Sequence, residues 1–263
     1  MTESSALYPP ADLLDARDWI AGLEKGLAII EAFDAEHPRL TSTEAGVRCG
    51  MTRTAARRYL KTLAHLGYVG TDGKLFWLSP RILRLGHAYL ESARLPRLVQ
   101  AYLQRITSGT EEIAYLGVLD GDDTVYVARS GMHRHMLSGY MLGSRVPAQV
   151  TAAGMAILSS LSDAQADAWL DTHALRTFTS FTMSSKLELR EHLQLFKRQG
   201  WVLSEQQLEL NYRGIAVPLL DRQNQVHGAI SVTMPINNED AEHAVKRVLP
   251  VMQEAARSLR PLL

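Results

Sequence analysis

Residues 40–78 read LTSTEAGVRCGMTRTAARRYLKTLAHLGYVGTDGKLFWL, and the fold turns on how this stretch is parsed. Its pattern predicts a short helix, a tight turn, a second helix and a β-hairpin with its tip at Asp72-Gly73. Stepping residues 52–66 round by about 100° each puts Arg53, Thr54, Arg57, Arg58 and Lys61 on one arc. Ala55, Ala56, Tyr59, Leu63 and Leu66 fall on the opposite arc. One face can pack on a core while the other offers four cations and a hydroxyl to a polyanion. That is the layout of a recognition helix in a helix-turn-helix; the competing reading is a solvated basic face. The flanking signals favour the former. Ser42 or Thr43 is expected to cap the first helix and Gly50 to take the left-handed position after it. Thr52 should cap the second helix and Gly67 end it. Strands at 68–69 and 75–78 then make a wing, with Lys74 beside its tip, in reach of a backbone phosphate. Ser42, Thr43, Thr52, Arg53, Thr54, Arg57, Arg58, Lys61 and Lys74 are the expected DNA contacts.

Outward from this core, residues 1–15 are polar, contain Pro9-Pro10, and read as a mobile arm. A helix is expected over 16–33, half-buried along Ile20, Leu23, Leu27 and Ile30, and Pro38 forbids its continuation. On the other side Pro80 restarts helix at SPRILRLGHAYLESARLP, with Ile82, Leu83, Leu85 and Tyr89 as an apolar stripe. This segment suits a stiff connector or a dimer contact. Pro96 is expected to interrupt it, and a helix over 97–108 leads into a second domain. The organisation expected is an arm at 1–15, an all-α winged helix-turn-helix at 16–79, a linker helix at 80–96 and an α+β domain at 97–263.

After Gly109 the pattern changes from helical to period two. Strands at 113–119 and 124–128 flank the turn Asp120-Gly121-Asp122-Asp123, and 136–142 reads as a further strand. Helices are expected at 151–161, from a Ser162-x-x-Gln165 capping box to about 170, and over 186–199 up to Gly200. Strands at 214–220 and 226–234 form another pair, and a terminal helix covers 239–259. Antiparallel strands with helices on the sheet faces make an α+β domain.

Charge divides the same way. Residues 41–100 hold ten Lys/Arg and three acids, net +7; the rest holds 18 and 25, net −7. A basic module tethered to an acidic remainder suggests that one part meets an anionic surface and the other does something else. Hydrophobic content of 46 % and charged content of 21 % are those of a globular protein. No apolar run of about 18 residues exists to span a membrane, and the N-terminus lacks the pattern of a secretory leader. Cys49 is the single cysteine, which excludes an intramolecular disulfide and fits a reducing cytoplasm.

Six segments resemble the IclR-type bacterial transcriptional regulators in order: GLEKGLAIIEAF, TRTAARRYLKTLAHLGYV, TDGKLFWLSPRILRLGHAYL, DGDDTVYVAR, GSRVPAQVTAAGMAIL and EQQLELNYRGIAVPLLD. The resemblance covers about residues 19–260, and two of these stretches are most similar to the branch controlling aromatic-acid catabolism. It implies a GAF-like C-terminal domain that binds a small organic effector, aromatic or dicarboxylic. It also implies homodimers, often paired into tetramers, on a palindromic double-stranded DNA operator, with RNA polymerase as a further contact. Carried over position by position, the pocket comprises Ala152, Ala153, Ser204, Glu205, Tyr212, Gly214, Ser231 and Thr233, with Arg129, Arg134 and Arg213 as carboxylate partners. Ala152 and Ala153 would leave N–H groups exposed where a carboxylate can sit. The competing reading is that Ser231 and Thr233 satisfy strand ends and the arginines are surface charges. Many members carry cysteines where this chain has Val150 and Gly214, so the pocket wall departs from the family's usual chemistry.

Two other functions were open at this level. A hydrolase with an accessory DNA-binding domain finds no support in motifs: GxSxG, GxxxxGK[ST], HExxH and GxGxxG are all absent. His133-Arg134-His135 reads better as a polar strand or loop than as a metal site, and no cofactor or metal is expected. A ligand-independent architectural DNA-binding protein would not need a C-terminal domain of more than half the chain.

Overall fold

The computed structural model describes residues 15, 17–131, 140–236 and 239–263. The arm expected over 1–15 lies outside the described residues but for Asp15, and so do His133, Arg134, His135 and the first part of the strand expected over 136–142. Two compact units divide between Ser92 and Ala93.

The first unit contains α1 (Ala21–Glu31), β1 (Leu40–Thr41), α2 (Ser42–Arg48), α3 (Arg53–His65), β2 (Val69–Thr71), β3 (Leu75–Leu78) and α4 (Leu83–Ser92). Ile29, Leu40, Ala45, Ala56, Leu60, Leu63, Val69 and Phe76 form its core. The cap of α2 is Thr41 rather than Ser42 or Thr43: its hydroxyl accepts from the Glu44 N–H, and the Glu44 carboxylate accepts from the Thr41 N–H at 2.7 Å. Thr52 does cap α3, accepting from the Ala55 N–H at 3.2 Å. Gly50 and Gly67 follow the two helices at φ +63° and +82°, a conformation where a Cβ is strained. Leu60, not singled out from the sequence, is the deepest anchor of α3, whereas Leu66 follows the last helical turn and faces solvent. The wing tip is held by Asp72, whose carboxylate accepts from the N–H groups of Lys74 and Leu75 at 2.9 and 2.8 Å. The wing gains a third strand, β1, in the order β1-β3-β2.

Helix α1 departs from expectation. It starts at Ala21, not 16, and its stripe turns outward: Ile20, Leu23 and Leu27 are 67, 60 and 47 % exposed. The buried residue is Ile29. At about 100° per residue, the three stripe residues lie about 120–180° round the helix from it, so packing Ile29 turns them away from the core.

The second unit is a three-layer α+β domain. Its elements are α5 (Arg94–Thr110), β4 (Ile113–Asp120), β5 (Asp123–Ser130), β6 (Arg145–Pro147), α6 (Ala152–Ser160), α7 (Asp163–Thr172), α8 (Lys186–Gln199), β7 (Val202–Glu205), β8 (Tyr212–Leu220), β9 (Val226–Pro235) and α9 (Ala241–Leu259). The strands form one antiparallel sheet in the order β6-β5-β4-β9-β8-β7. Alternation along each strand feeds two cores. Leu116, Ile230 and Val232 meet Leu103, Ile106, Val248 and Met252 of α5 and α9. Tyr115 and Ala216 on the other face meet Met155, Leu158, Leu189 and Phe196 of α6 and α8. Pro96 does not interrupt: it sits in the first turn of α5, where a backbone N–H has no helical partner to lose. Residues 140–142 carry no strand; the short strand in this region is β6.

Candidate functional site

Helix α3 presents Arg53, Thr54, Arg57, Arg58 and Lys61 to solvent. None of its four cations is ion-paired among the described residues, so their charge is free to meet phosphate. Thr43, Thr52 and Lys74 are exposed as well. Ser42 is corrected: at 7 % exposure it faces the core of the first unit, because the cap moves to Thr41 and puts Ser42 in the first helical turn. Arg39 was missed. Its guanidinium stacks 4.7 Å from the Trp77 ring centroid on the wing, a pairing between strands that no local pattern shows.

The second unit holds a small, half-open cavity of about 50 Å³ over the sheet at the N-terminus of α6. Ala152, Ala153, Ser204, Tyr212, Arg213, Gly214, Ser231 and Thr233 line it, together with Tyr126, Tyr140, Val150, Thr151, the run 206–208 and Glu209. Thr151 caps α6 by accepting from the Gly154 N–H, and Ser204 Oγ is committed to the Val150 carbonyl at 2.9 Å. The N–H groups of Ala152 and Ala153 are left with no acceptor among the described residues, although both residues are buried. Ser231, 1 % exposed, carries a hydroxyl that neighbours the Tyr126 phenol but meets no partner at strict hydrogen-bond geometry, and the Tyr115 hydroxyl stands likewise beside the Tyr140 backbone. An unpaired buried polar group costs about 1–3 kcal/mol, and a helix N-terminus attracts negative charge. Together they line a small hole with unpaired donors, a chemistry that suits an anion.

Tyr126 and Tyr140 wall this space, and Tyr115 packs against both. Tyr126 lies 4.7 Å from Tyr115 and 5.2 Å from Tyr140 between ring centroids. Burial pushes the Tyr140 phenol up to about 12 and raises those of Tyr126 and Tyr115 also, so all three stay neutral donors at physiological pH. Tyr126 and Tyr140, tilted 33° to one another, offer ring surface suited to an aromatic ligand.

The expected arginines fare differently. Arg213 lines the cavity but is already neutralised, its Nε donating to Glu205 Oε1 at 2.9 Å and its Nη1 to the Asp240 carbonyl at 2.8 Å. Glu205 therefore serves Arg213 and does not line the cavity. Arg129 does not line it either; its guanidinium donates to the carbonyl of Tyr140 at 3.2 Å. Tyr126 and Tyr140 had no local signal, because they meet only where the chain after Tyr140 returns to β5, the Gly143 N–H donating to the Tyr126 carbonyl at 2.8 Å. Among the described residues no helix is long and apolar enough to cross a membrane, and no three His, Cys, Asp or Glu side chains cluster as metal ligands.

A basic helix on a winged three-helix unit, followed by a sheet domain with a donor-lined cavity, is the layout of a ligand-responsive DNA-binding protein. The family model for the IclR helix-turn-helix domain matches residues 22–73, and that for the C-terminal part of bacterial IclR transcriptional regulators matches 87–260. The chain belongs to the IclR family of bacterial DNA-binding transcriptional regulators. It is 37 % identical over 250 residues to the Pca operon regulatory protein of Acinetobacter baylyi, covering 94 % of this chain and 90 % of that one. It is 37 % identical over 251 residues to the p-hydroxybenzoate hydroxylase transcriptional activator of the same organism, covering 94 % and 93 %. Among solved structures, a double mutant of the PobR inducer-binding domain from Acinetobacter, in complex with 3-hydroxybenzoic acid, is similar with a TM-score of 0.61 at 29 % identity. It covers 65 % of this chain and all of that one.

Proposed function

We propose that the second unit is the sensor of a small aromatic carboxylic acid, and that its occupancy sets operator binding or transcriptional output by the first. One observation carries the reading. The unpaired N–H groups of buried Ala152 and Ala153 and the unpaired hydroxyl of Ser231 line a single cavity with aromatic walls. A carboxylate fits the hole, and a ring fits the tyrosine face. The aromatic-acid names of the relatives support the same class of ligand.

On DNA, phosphate contacts give affinity and salt dependence, while a bidentate arginine–guanine pair adds about 1–3 kcal/mol of discrimination. Arg53, Arg57, Arg58 and Lys61 supply these contacts, with Thr43, Thr52, Thr54 and Lys74 beside them. One helix reads too little sequence alone. Two copies place their helices about 34 Å apart on one face of the duplex, so a homodimer or tetramer on a palindromic operator is the working form, in the cytoplasm and within reach of RNA polymerase. The exposed apolar side chains of Leu83, Leu85 and Tyr89 on α4, with the exposed stripe of α1, support self-association. The effector shifts the equilibrium between two arrangements by about 1–3 kcal/mol.

The test measures operator affinity and transcription with and without a panel of benzoates and dicarboxylates. A shift with any of them is the result expected. No change with all of them, with DNA binding intact, favours an architectural protein; ester turnover without DNA binding favours a hydrolase.

A further inference from the structure

Gly214 stands at the centre of a rung that crosses three strands, paired with Ser204 on β7 and with Thr233 on β9. All three residues line the cavity. The backbone at Gly214 is ordinary extended strand, outside the left-handed region, so glycine is not there for its conformational freedom. A glycine inside a strand forfeits side-chain packing and costs chain entropy. What it permits is a close approach. A Cβ at position 214 would stand 3.0 Å from the Ala152 Cβ and 3.9 Å from the Ala152 nitrogen. That nitrogen carries the first of the two unpaired N–H groups of α6, so any side chain at 214 leans over the anion hole.

Resting on the assignment of this cavity as the effector site, we propose that Gly214 sets the size class of the acid admitted. Its missing side chain leaves the approach to Ala152 and Ala153 wide enough for a carboxylate carried on an aryl ring, with the ring against Tyr126 and Tyr140. A methyl group at 214 narrows that approach to acids no broader than a short aliphatic chain. The alternative is that Gly214 serves helix-on-sheet packing alone, α6 lying close against β8.

The experiment titrates the full chain with benzoate and 4-hydroxybenzoate on one side and acetate and pyruvate on the other, by calorimetry. It compares wild type, Gly214→Ala and the double variant Ala152→Gly/Gly214→Ala. Gly214→Ala is expected to lower the ratio of aryl-acid to short-acid affinity at least tenfold. The double variant relieves the contact with residue 152 but keeps the methyl over the N–H groups, so the ratio stays low. An unchanged ratio in Gly214→Ala, an equal loss for every acid, or recovery of the wild-type ratio in the double variant overturns the proposal. Should Gly214→Ala fail to fold, judged by its ligand-free unfolding transition, the double variant decides by the same ratio. Wild type that binds none of the aryl acids overturns the effector-site assignment itself, and the size rule with it.

Discussion

Arg213 and Glu205 form a closed pair at the wall of the cavity: Nε and Nη2 of the arginine both reach Oε1 of the glutamate, at 2.9 and 2.7 Å. Arg213 is 3 % exposed, whereas Glu205 is half-exposed, so the two sides of the pair are not equivalent. Glu205→Ala strands a buried guanidinium and is expected to cost about 3 kcal/mol in urea unfolding, the lower end for breaking such a pair. Arg213→Met leaves a carboxylate that water can still solvate and should cost less. A larger loss in Arg213→Met would show that Arg213 is held by its bond to the Asp240 carbonyl rather than by Glu205.

Ser231 gives a test in which stability and binding separate. Removing an unpaired buried hydroxyl relieves a penalty, so Ser231→Ala should leave the ligand-free melting point unchanged or slightly higher. The rise in melting point on adding an aromatic acid, which reports binding to the native state, should shrink. A variant that melts lower without ligand yet responds normally to the acid would mean that the hydroxyl serves the strand and not the ligand.

On the DNA side, Arg57→Ala removes an exposed charge and leaves the fold intact. Operator affinity should fall at least about tenfold, in line with a bidentate base contact. The salt dependence of the remaining binding reports whether a phosphate was also lost: each such contact contributes about 0.9 to the slope. Retained sequence preference in the variant would assign the reading face to other residues.

The parts of this fold that were legible are those governed by local rules. The 3.6-residue spacing of α3, the caps at Thr52 and Ser162, and the turns at Asp120–Asp123 and around Asp221 are properties of a few neighbouring residues, and the structure has them. Short strands were legible only where a tight turn such as Asp72-Gly73 marks them, as at β2 and β3. Leu40–Thr41, Arg145–Pro147 and Val202–Glu205 are two to four residues long, below the length at which alternation can register, and they exist because a longer neighbour offers them an edge. The direction of the α1 stripe failed for the opposite reason: its periodicity was clear, but periodicity does not say which face meets the core. In the cavity, the small residues and serines came through family resemblance, while the tyrosine wall depends on the segment after Tyr140 returning to Tyr126 on β5. Nor could the neutralisation of Arg213 be read locally, since Glu205 joins it only across the β7–β8 pair.

The α9 clamp predicts an acid-sensitive step. Arg247 bonds Glu239 through two nitrogens, at 2.9 and 2.8 Å, and Glu112 at 2.8 Å, which holds the Glu239 carboxyl below its usual 4.5. A lowered carboxyl contributes its stability in full above the unfolded value and loses it as pH falls through the folded one. Wild type should therefore lose stability as pH falls below about 4.5, and Arg247→Met should show a shallower acid limb. Parallel acid limbs in denaturation curves would rule this pair out as the source.

Leu23→Glu addresses self-association. The residue lies on the exposed apolar side of α1 beside Ile20 and Leu27, so a charge there costs the isolated chain little. Light scattering should show a lower mass for the variant at equal concentration and unaltered circular dichroism. An unchanged mass would move the self-contact elsewhere.

Strand β9 alternates between two neighbourhoods. Ser231 and Thr233 look into the cavity, while Ile230 and Val232 are embedded among α5 and α9. A hydrogen-bonded strand held on both sides behaves as a stiff plank, not as independent beads. Were an acid to shift Ser231, the displacement would be passed to Ile230 and Val232 on the opposite face of the same strand. The molecule needs no dedicated wire to report occupancy through the sheet, because both rooms share a single wall.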